Sequence, residues 1–292
     1  MKIGVCLPYM KRELRRQHFL DWCRFIDQGP FHSLSCGERV TGYTLEMRNI
    51  LAFAAAVTER VRIIPSLYVL PMHSAVQSAK EIATLDILSN GRVTLCVGVG
   101  GREQDYRALG ASFKRRFQRM DDQVAEMKAL WRGETLESLE EVGPLPIQEG
   151  GPPILAGSMG PKSIRRVAEW ADGLYGFAMD GNPSLIRYFF DAAEQAWQDA
   201  GRDTRPYRMS GFWYCLAEGA EAQLRAYVYD YLEVLSKEEA GKIADGMVMH
   251  DPGAIREGIS AIEELGCDEI QLVPATADMA ELEKLATILE TR

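Results

Sequence analysis

The sequence lacks several features that would assign it to large classes of protein. Its 292 residues include four histidines and six cysteines, and no two cysteines form a C-x-x-C pair. Because zinc sites need closely spaced Cys and His ligands, this scatter indicates no metal site. We expect the cysteines to be buried, reduced thiols. Lys and Arg number 33 against 42 Asp and Glu, a net charge of −9, which argues against nucleic acid as a partner.

Long apolar runs are also missing. The longest, residues 50–57, is far shorter than the roughly 20 residues that a membrane-spanning helix needs, so we expect no membrane contact. The amino-terminal residues are apolar only briefly before the charged residues 11–16, which does not fit a secretory signal. By elimination, we expect a cytoplasmic protein. The 47% of hydrophobic and 26% of charged residues are typical of globular proteins.

Short apolar and β-branched runs alternate with helical patterns along the chain. The predicted strands are residues 3–7, 32–36, 61–70, 93–99, 153–156, 174–178, 209–216 and 270–273. Between them, apolar residues three or four positions apart predict amphipathic helices. Several strands are continuously apolar, which is typical of parallel strands covered on both faces. Eight strands alternating with helices favour a single (β/α)8 TIM barrel domain over residues 1–292, rather than an open doubly wound sheet.

Two segments are longer than ordinary connections between such elements. They are residues 133–151 and residues 218–249, and the second has its own helical pattern near residues 223–235. We expect both insertions to lie at the carboxyl-terminal mouth of the barrel. Tyr227 and Tyr231 in the second insertion fit an apolar lid, or a helix that packs on the barrel or on a partner subunit. We expect a homodimer or a higher homo-oligomer.

In a (β/α)8 barrel, ligands bind in the loops that follow the strands. After the fourth strand, glycines at residues 98–101 let backbone N–H groups approach an anion, and Arg102 can bind a phosphate with two hydrogen bonds. After the fifth strand, residues 157–161 lead into a helix whose free N–H groups attract an anion. Together the loops predict a phosphorylated cofactor. The alternatives are a tight turn in which Arg102 pairs with Glu103 or Asp105, and a capped helix without a ligand.

Charged residues follow two further strands. Glu38 and Arg39 come after the second strand, and His73 comes after the third. Each is a candidate for ligand contact, although the first two also fit a local ion pair and a lone histidine is more often structural. Neither a Ser–His–Asp order nor paired carboxylates support hydrolysis. The basic residues 114–119 open a predicted helix, and we interpret them as a solvated helix face.

Several stretches of the sequence together resemble a known protein family. The longest of them is Thr84-Leu85-Asp86-Ile87-Leu88-Ser89-Asn90-Gly91-Arg92-Val93. It is followed by Gly98-Val99-Gly100, residues 106–110, Arg115-Arg116, residues 153–158 and residues 171–173. This combination resembles the bacterial luciferase-like flavin oxidoreductase superfamily over nearly the whole chain, most weakly at residues 11–31 and 218–249. The resemblance implies a (β/α)8 barrel that binds reduced FMN, or the 5-deazaflavin coenzyme F420, at its mouth.

The resemblance also implies where the cofactor lies. Members hold its phosphate with the loops after strands 4 and 5, and many have a non-proline cis peptide bond at the end of strand 3 that supports the flavin ring. The implied cofactor-binding residues are Ser66, Leu67, Tyr68, Gly98, Gly100, Gly101, Arg102, Ala156, Gly157, Ser158, Met159 and Gly160.

Two departures affect the catalytic residues. Many relatives have an acidic residue and then a catalytic His after strand 2, where this chain has Glu38 and Arg39. Relatives commonly have Arg-His-Pro after strand 3, where this chain has His73-Ser74-Ala75. A guanidinium stays protonated and transfers no proton near neutral pH, although it can stabilise negative charge on a reduced flavin. The candidate catalytic residues are therefore Arg39, Glu38 and His73.

Three functions remain open. The first is a two-component monooxygenase that uses reduced FMN and O2 on a small organic substrate. A separate flavin reductase would be its partner, because the chain has no NAD(P)-binding fingerprint. The second is an F420-dependent reductase or dehydrogenase that transfers a hydride, since one fold serves both cofactors. The third is a non-catalytic flavin-binding homologue, which the missing His permits. The insertions carry no motif that indicates a substrate.

Overall fold

Eight parallel strands close into a barrel in sequence order. The computed structural model describes residues 1–135, 140–234 and 236–291. The strands are β1 (Lys2–Cys6), β2 (Ser33–Cys36), β3 (Arg62–Tyr68), β4 (Leu95–Val97), β5 (Ile154–Gly157), β6 (Gly173–Phe177), β7 (Tyr207–Tyr214) and β8 (Glu269–Pro274). β8 pairs with β1, with Lys2 opposite Glu269. Each predicted strand overlaps one of these, and the predicted (β/α)8 fold is confirmed.

Helices follow the strands and cover the barrel. They are α1 (Arg16–Gln28), α2 (Met47–Val57), α3 (Ala75–Leu88), α4 (Glu103–Ala108), α5 (Arg116–Trp131), α6 (Pro161–Val167), α7 (Pro183–Asp199), α8 (Ala220–Leu232), α9 (Lys237–Asp245), α10 (Pro252–Glu264) and α11 (Ala280–Glu290). A 3-10 turn, Leu70–Met72, follows β3. Residues 136–139, 235 and 292, which belong to the predicted insertions and the predicted domain, lie outside the described residues.

Side-chain caps fix where several helices begin. Asp251 Oδ1 accepts a hydrogen bond from the Ala254 N–H at 2.9 Å, and Pro252 occupies the first turn of α10, as the sequence predicts. Asn182 Oδ1 likewise accepts from the Ser184 N–H at 2.9 Å at the start of α7. These side chains satisfy N–H groups that have no partner inside the helix.

The apolar core lies on both sides of the sheet. Between strands and helices, α5 buries the apolar face that its sequence predicts, namely Met120, Val124, Met127, Leu130 and Trp131. A second, smaller cluster joins side chains from five consecutive strands, namely Ile64, Cys96, Leu155, Tyr175 and Met209. Strands that bury residues on both faces are apolar throughout, which explains the continuous runs in the sequence.

A polar network closes the amino-terminal end of the barrel. Glu269 is 3% exposed and accepts hydrogen bonds from the Ser33 hydroxyl, from Tyr207 Oη at 2.9 Å and from Gln271 Nε2 at 2.9 Å. A buried carboxylate is tolerated when its oxygens are hydrogen-bonded in this way. The network fills the barrel below the cavity that opens at the other end.

The two insertions lie at opposite ends of the barrel. Residues 133–151 connect α5 to β5, and Gln148 in this segment bonds to Asp86 near the end of α3 and to the Val93 carbonyl. A connection from a helix into a strand lies at the amino-terminal end, so the described residues of this insertion, 133–135 and 140–151, lie away from the mouth, contrary to expectation. Residues 218–249 follow β7 and bring Tyr227 and Tyr231 to the mouth, as expected.

Three further observations concern the expectations drawn from composition. All six cysteines are buried, as predicted. Among the described residues, none of the helices combines the length and the apolar character needed to cross a membrane. Within the same part of the chain, His, Cys, Asp and Glu side chains do not gather in groups of three or more that could hold a metal ion.

Candidate active site

A cavity of about 630 Å³ opens at the carboxyl ends of the strands. Its volume lies within the roughly 300–1,000 Å³ typical of small-molecule sites. Because the strands are parallel and close into a ring, the segments that follow β1 to β8 meet there although they are distant in sequence. The wall comprises Cys6 and Tyr9, Gly37 and Glu38, Ser66 and Leu67, residues 99–102, residues 157–160, Tyr175 and Phe177, Trp213, and Val273, among others.

Part of the cavity wall is built around Leu67. The Ser66–Leu67 peptide bond is cis, at the position that the resemblance implies. The pairing of β3 with β4 changes register between Ser66 and Tyr68. A Cβ atom at Gly98 or Gly157 would lie only 2.7 or 2.6 Å from Leu67 Cδ1, so glycine at both positions makes room for this side chain. Leu67 therefore presents an apolar surface to the cavity.

The loop after β4 forms an adjoining wall. Gly100 has a φ of +60°, and a Cβ atom there would lie 2.8 Å from Val69 Cγ1, so glycine suits both the turn and the close approach. Next along the loop, Gly101 faces open space. Arg102 Nε lies 3.7 Å from Asp105 Oδ2, which is one of the pairings considered from the sequence. That nitrogen is buried and has no hydrogen-bond partner within the described part of the chain.

The loop after β5 carries small and polar residues. Ser158 is 6% exposed. Gly160 precedes α6, and its carbonyl accepts a hydrogen bond from Ser163 Oγ at 2.8 Å. Both serines and Gly160 line the cavity. Met159, also in the wall, is 58% exposed. The loop therefore offers a hydroxyl and backbone close to any bound ligand.

Arg116, at the start of α5, lines the same cavity. Its guanidinium lies 3.8 Å from the ring centroid of Phe113 and 5.0 Å from that of Phe117. Its Nε is buried and has no hydrogen-bond partner in the described residues. Arg115, which precedes it with a φ of +55°, is exposed. The interpretation of residues 114–119 as a solvated helix face is therefore wrong at Arg116, and the flanking aromatic residues were the available signal.

Two of the candidate catalytic residues form a pair. Glu38 Oε1 lies 2.7 Å from His73 Nε2, and Glu38 Oε2 accepts a hydrogen bond from the Val69 N–H at 2.7 Å. The two side chains are 5% and 10% exposed, with only Glu38 in the cavity wall. The His73 ring packs edge-on against Tyr68, with ring centroids 5.1 Å apart. Both oxygens of Glu38 are therefore held in place while the side chain faces the cavity.

Arg39 and Arg102 converge on Thr41. Arg39 Nε donates to the Thr41 carbonyl at 2.9 Å, and an Arg102 Nη lies 3.5 Å from Thr41 Oγ1. Asp105 accepts hydrogen bonds from the Thr41 N–H, at 2.9 Å, and from its hydroxyl. Burial lowers the pKa of Arg102, and the positive charge of Arg39 lowers it further. Two like charges held close together favour the binding of an anion.

Aromatic side chains form a continuous wall, here called the aromatic wall, made of Tyr175, Phe177, Trp213, Tyr227 and Tyr231. Ring centroids are 6.0 Å apart for Tyr175 and Phe177, 5.7 Å for Phe177 and Trp213, and 5.0 Å for Trp213 and Tyr231. Tyr227 stacks on Tyr231 at 6.3 Å. All five line the cavity. The sequence predicts Tyr227 and Tyr231 to fit a lid, whereas it does not predict a role for Tyr175, Phe177 or Trp213.

Comparison with known protein families matches residues 1–273 to the luciferase-like monooxygenase family. The chain belongs to this family. It is 30% identical over 171 residues to an uncharacterised protein of Mycobacterium tuberculosis, covering 56% of this chain and 60% of that protein. It is 27% identical over 156 residues to the oxygenase component of a flavin-dependent trigonelline monooxygenase of Acinetobacter baylyi, covering 49% and 43%. The match spans less than two thirds of either relative.

Solved structures share the fold of this luciferase-like chain. The monooxygenase RslO1 of Streptomyces bottropensis superposes with a TM-score of 0.80 at 19% identity and covers 100% of this chain and 99% of its own. An F420-dependent secondary alcohol dehydrogenase, in complex with an F420–acetone adduct, has a TM-score of 0.81 at 18% identity, covering 98% and 97%. At these identities the likeness shows the fold alone.

The cavity of this luciferase-like barrel brings many of the expected site residues together. Those in its wall are Glu38, Ser66, Leu67, Gly100, Gly101, Arg102, Gly157, Ser158, Met159 and Gly160. Gly98 and Ala156 are close by in the chain but outside the wall, and Arg39 is half-buried behind it. Tyr68 is fully buried, and its hydroxyl bonds to Ser78 and Glu81 on α3. His73 reaches the cavity only through Glu38.

Proposed function

We propose that this luciferase-like protein is the oxygenase component of a two-component monooxygenase. It would use reduced FMN and O2 to oxidise a small organic substrate, and a separate flavin reductase would supply the reduced FMN. The observation that carries the proposal is Arg116, a cation that lines the cavity and whose buried Nε has no hydrogen-bond partner among the described residues. Such an arginine fits a phosphorylated cofactor.

The residues present fit FMN. Its phosphate would be held by Arg116, by the Ser158 hydroxyl and by the loop at Gly160, all of which line the cavity. The flavin ring would rest on the apolar surface of Leu67. When bound, reduced FMN supplies the electrons for the activation of O2. Gly100 and Gly101 in the adjoining wall leave space for close contact with the cofactor.

The protein supplies orientation, charge and exclusion of water. Glu38, whose Oε1 lies 2.7 Å from His73 Nε2, would serve as a general acid–base group at the edge of the cavity. Arg39 has no carboxylate within ion-pair distance among the described residues and stabilises negative charge near the mouth. The aromatic wall keeps water from one side of the cavity.

Relatives support the monooxygenase function. The trigonelline monooxygenase of Acinetobacter baylyi is named as a flavin-dependent oxygenase component, which implies a second component that reduces flavin. A pyrimidine monooxygenase, RutA of Allorhizobium ampelinum, is 26% identical over 179 residues. The second candidate is F420-dependent hydride transfer without O2, because two of the solved structures with this fold are named as F420-dependent enzymes.

Cofactor binding separates the two functions. Oxidised FMN, reduced FMN and F420 are titrated anaerobically into the protein, and quenching of tryptophan fluorescence gives each dissociation constant. We expect reduced FMN to bind in the micromolar range, at least tenfold more tightly than F420, and to be reoxidised when O2 is admitted. Tighter binding of F420 than of reduced FMN would indicate an F420-dependent reductase or dehydrogenase instead. Failure of FMN to bind below the millimolar range would contradict the proposal.

A further inference from the structure

The aromatic wall presents flat rings to the cavity. Tyr227 and Tyr231 are four residues apart on α8, so they share one helix face. Their rings are stacked with an angle of 25° between planes. Aromatic side chains arranged in this way favour a flat aromatic ligand, which gains offset-stacked and edge-to-face contacts.

A positive charge borders this wall. Arg39 and Arg102 converge on Thr41, and the carboxylate near them is that of Asp105, 3.7 Å from Arg102. Asp105 is the carboxylate within ion-pair distance of these two guanidinium groups among the described residues, and it pairs with Arg102. Asp105 already accepts two hydrogen bonds from Thr41, and the buried Arg102 Nε has no hydrogen-bond partner among the described residues. The pair is therefore incompletely neutralised, in a protein whose net charge is −9.

Arg102 lines the same cavity as Tyr227 and Tyr231. Burial raises the pKa of Tyr231, and the positive charges of Arg39 and Arg102 oppose that rise. Burial also raises the pKa of Tyr227, with Arg39 again acting in the opposite direction. A ligand ring on these tyrosines would therefore lie in the same cavity as the Arg102 guanidinium, with Arg39 half-buried behind the wall.

We propose that the substrate is a flat aromatic compound that carries a carboxylate. Its ring would stack on Tyr227 and Tyr231, and its carboxylate would bind Arg102, with the charge of Arg39 behind the wall adding to the attraction. This assignment rests on the proposed function, in which Arg116 rather than Arg102 holds the cofactor phosphate. Guanidinium groups bind carboxylates through charge-assisted hydrogen bonds, and aromatic rings supply the remaining affinity.

Paired probes test the substrate class. 2-Naphthoate and 2-naphthamide have the same ring, and only the first carries a charge. Each is titrated calorimetrically into the FMN-loaded protein and into the protein without FMN. We expect 2-naphthoate to bind at least tenfold more tightly than the amide. Arg102→Met should abolish this preference and Arg39→Met should reduce it, while the FMN dissociation constant changes less than twofold.

Two further variants separate the ring from the charge. Tyr231→Leu should weaken both probes by a similar factor, because it removes stacking and leaves the arginines in place. Arg24→Met removes an exposed arginine of α1 and should leave both probes and FMN unaffected. These two variants also control for general effects of a substitution on folding.

The outcomes distinguish this inference from the proposed function. Equal affinities for the two probes would overturn the carboxylate assignment, whether or not FMN binds. If Arg102→Met instead weakened FMN as much as Arg116→Met, the arginine pair would hold the cofactor phosphate and the inference would be wrong. If FMN did not bind at all, the proposed function would fail, whereas the probes would still test the anion site in the protein without FMN.

Discussion

Glu38 Oε1 lies 2.7 Å from His73 Nε2, and this contact joins the end of β2 to the segment after β3. The other carboxylate oxygen accepts from the Val69 N–H, one position beyond the end of β3. Glu38 therefore has two roles that can be separated experimentally. It holds the backbone next to the cis peptide bond, and it presents a negative charge to the cavity.

Substitution of Glu38 should separate these roles. Glu38→Ala leaves the Val69 N–H and the His73 ring without an acceptor, and we expect the free energy of unfolding in urea to fall by about 1–3 kcal/mol. Glu38→Gln keeps an oxygen for the Val69 N–H and should cost less than half as much. Both variants should slow the reoxidation of bound reduced FMN at least tenfold, measured in a single turnover. An unchanged rate of FMN reoxidation in Glu38→Gln would show that the carboxylate takes no part in this reaction.

Arg116 should matter only for a cofactor that carries a phosphate. A charge-assisted hydrogen bond contributes about 1.5–3 kcal/mol, so Arg116→Met should raise the dissociation constant of FMN by about tenfold or more. Riboflavin has the same ring without the phosphate, and its dissociation constant should stay within twofold. Tryptophan quenching measures both. Arg24→Met is the matched control, and equal weakening of FMN and riboflavin would show that Arg116 contacts the ring instead.

Gly157 should be intolerant of even a methyl group because of Leu67. A Cβ atom at Gly157 would lie 2.6 Å from Leu67 Cδ1 and 2.7 Å from Cδ2, so Leu67 would have to move toward the cavity. We expect Gly157→Ala to weaken FMN binding at least tenfold and to lower the free energy of unfolding by about 1–3 kcal/mol.

Leu67→Ala provides the control for this substitution. It removes the atoms that the new methyl group would meet, so Gly157→Ala should cost little in its presence. A double-mutant cycle on FMN binding and on unfolding measures the coupling between the two positions. Additive effects would mean that Gly157 is needed for some reason other than the room it leaves for Leu67.

The barrel could be predicted because its signal is repeated eight times. Each strand is short, apolar and followed by a helix, and the order of elements excludes most other architectures. The position of residues 133–151 could also have been predicted, because this segment leads from α5 into β5 and so belongs to the end opposite the mouth. The length of this segment alone suggested a position at the mouth of the barrel. The order of elements along the chain is the stronger evidence, because it determines at which end of the barrel a connection lies.

The site was harder to predict because side-chain direction depends on local backbone geometry. Arg116 enters the cavity after Arg115 adopts a left-handed conformation, which nothing in a run of basic residues indicates. The positions of Tyr175 and Phe177 were easier to predict from the sequence. They are two positions apart on β6 and must therefore share a face, and their place at the carboxyl end of a barrel strand directs that face to the mouth.

A carboxylate far from the cavity should control stability at low pH. Asp27, at the end of α1, accepts hydrogen bonds from the N–H groups of Glu59, Arg60 and Val61 at 2.9–3.0 Å. Burial raises the pKa of Asp27, but these bonds and the charge of Arg60 outweigh it and lower the pKa overall. The folded protein therefore binds fewer protons at this site than the unfolded chain does, and the ionised carboxylate stabilises the fold.

This stabilisation is present above the pKa of the unfolded chain and is lost as the pH falls through the lower pKa of the folded protein. Asp27→Asn removes the charge at every pH and should lower the free energy of unfolding by about 1–2 kcal/mol at neutral pH. As the pH falls from about 5 toward 3, the native protein should lose stability until its curve meets that of the variant. Urea unfolding of both proteins over this range measures the difference between their free energies of unfolding. The contributions of the other carboxylates are the same in both proteins and cancel in this difference. A difference that stayed constant with pH would show that the hydrogen bonds, and not the charge, hold α1 to the turn before β3.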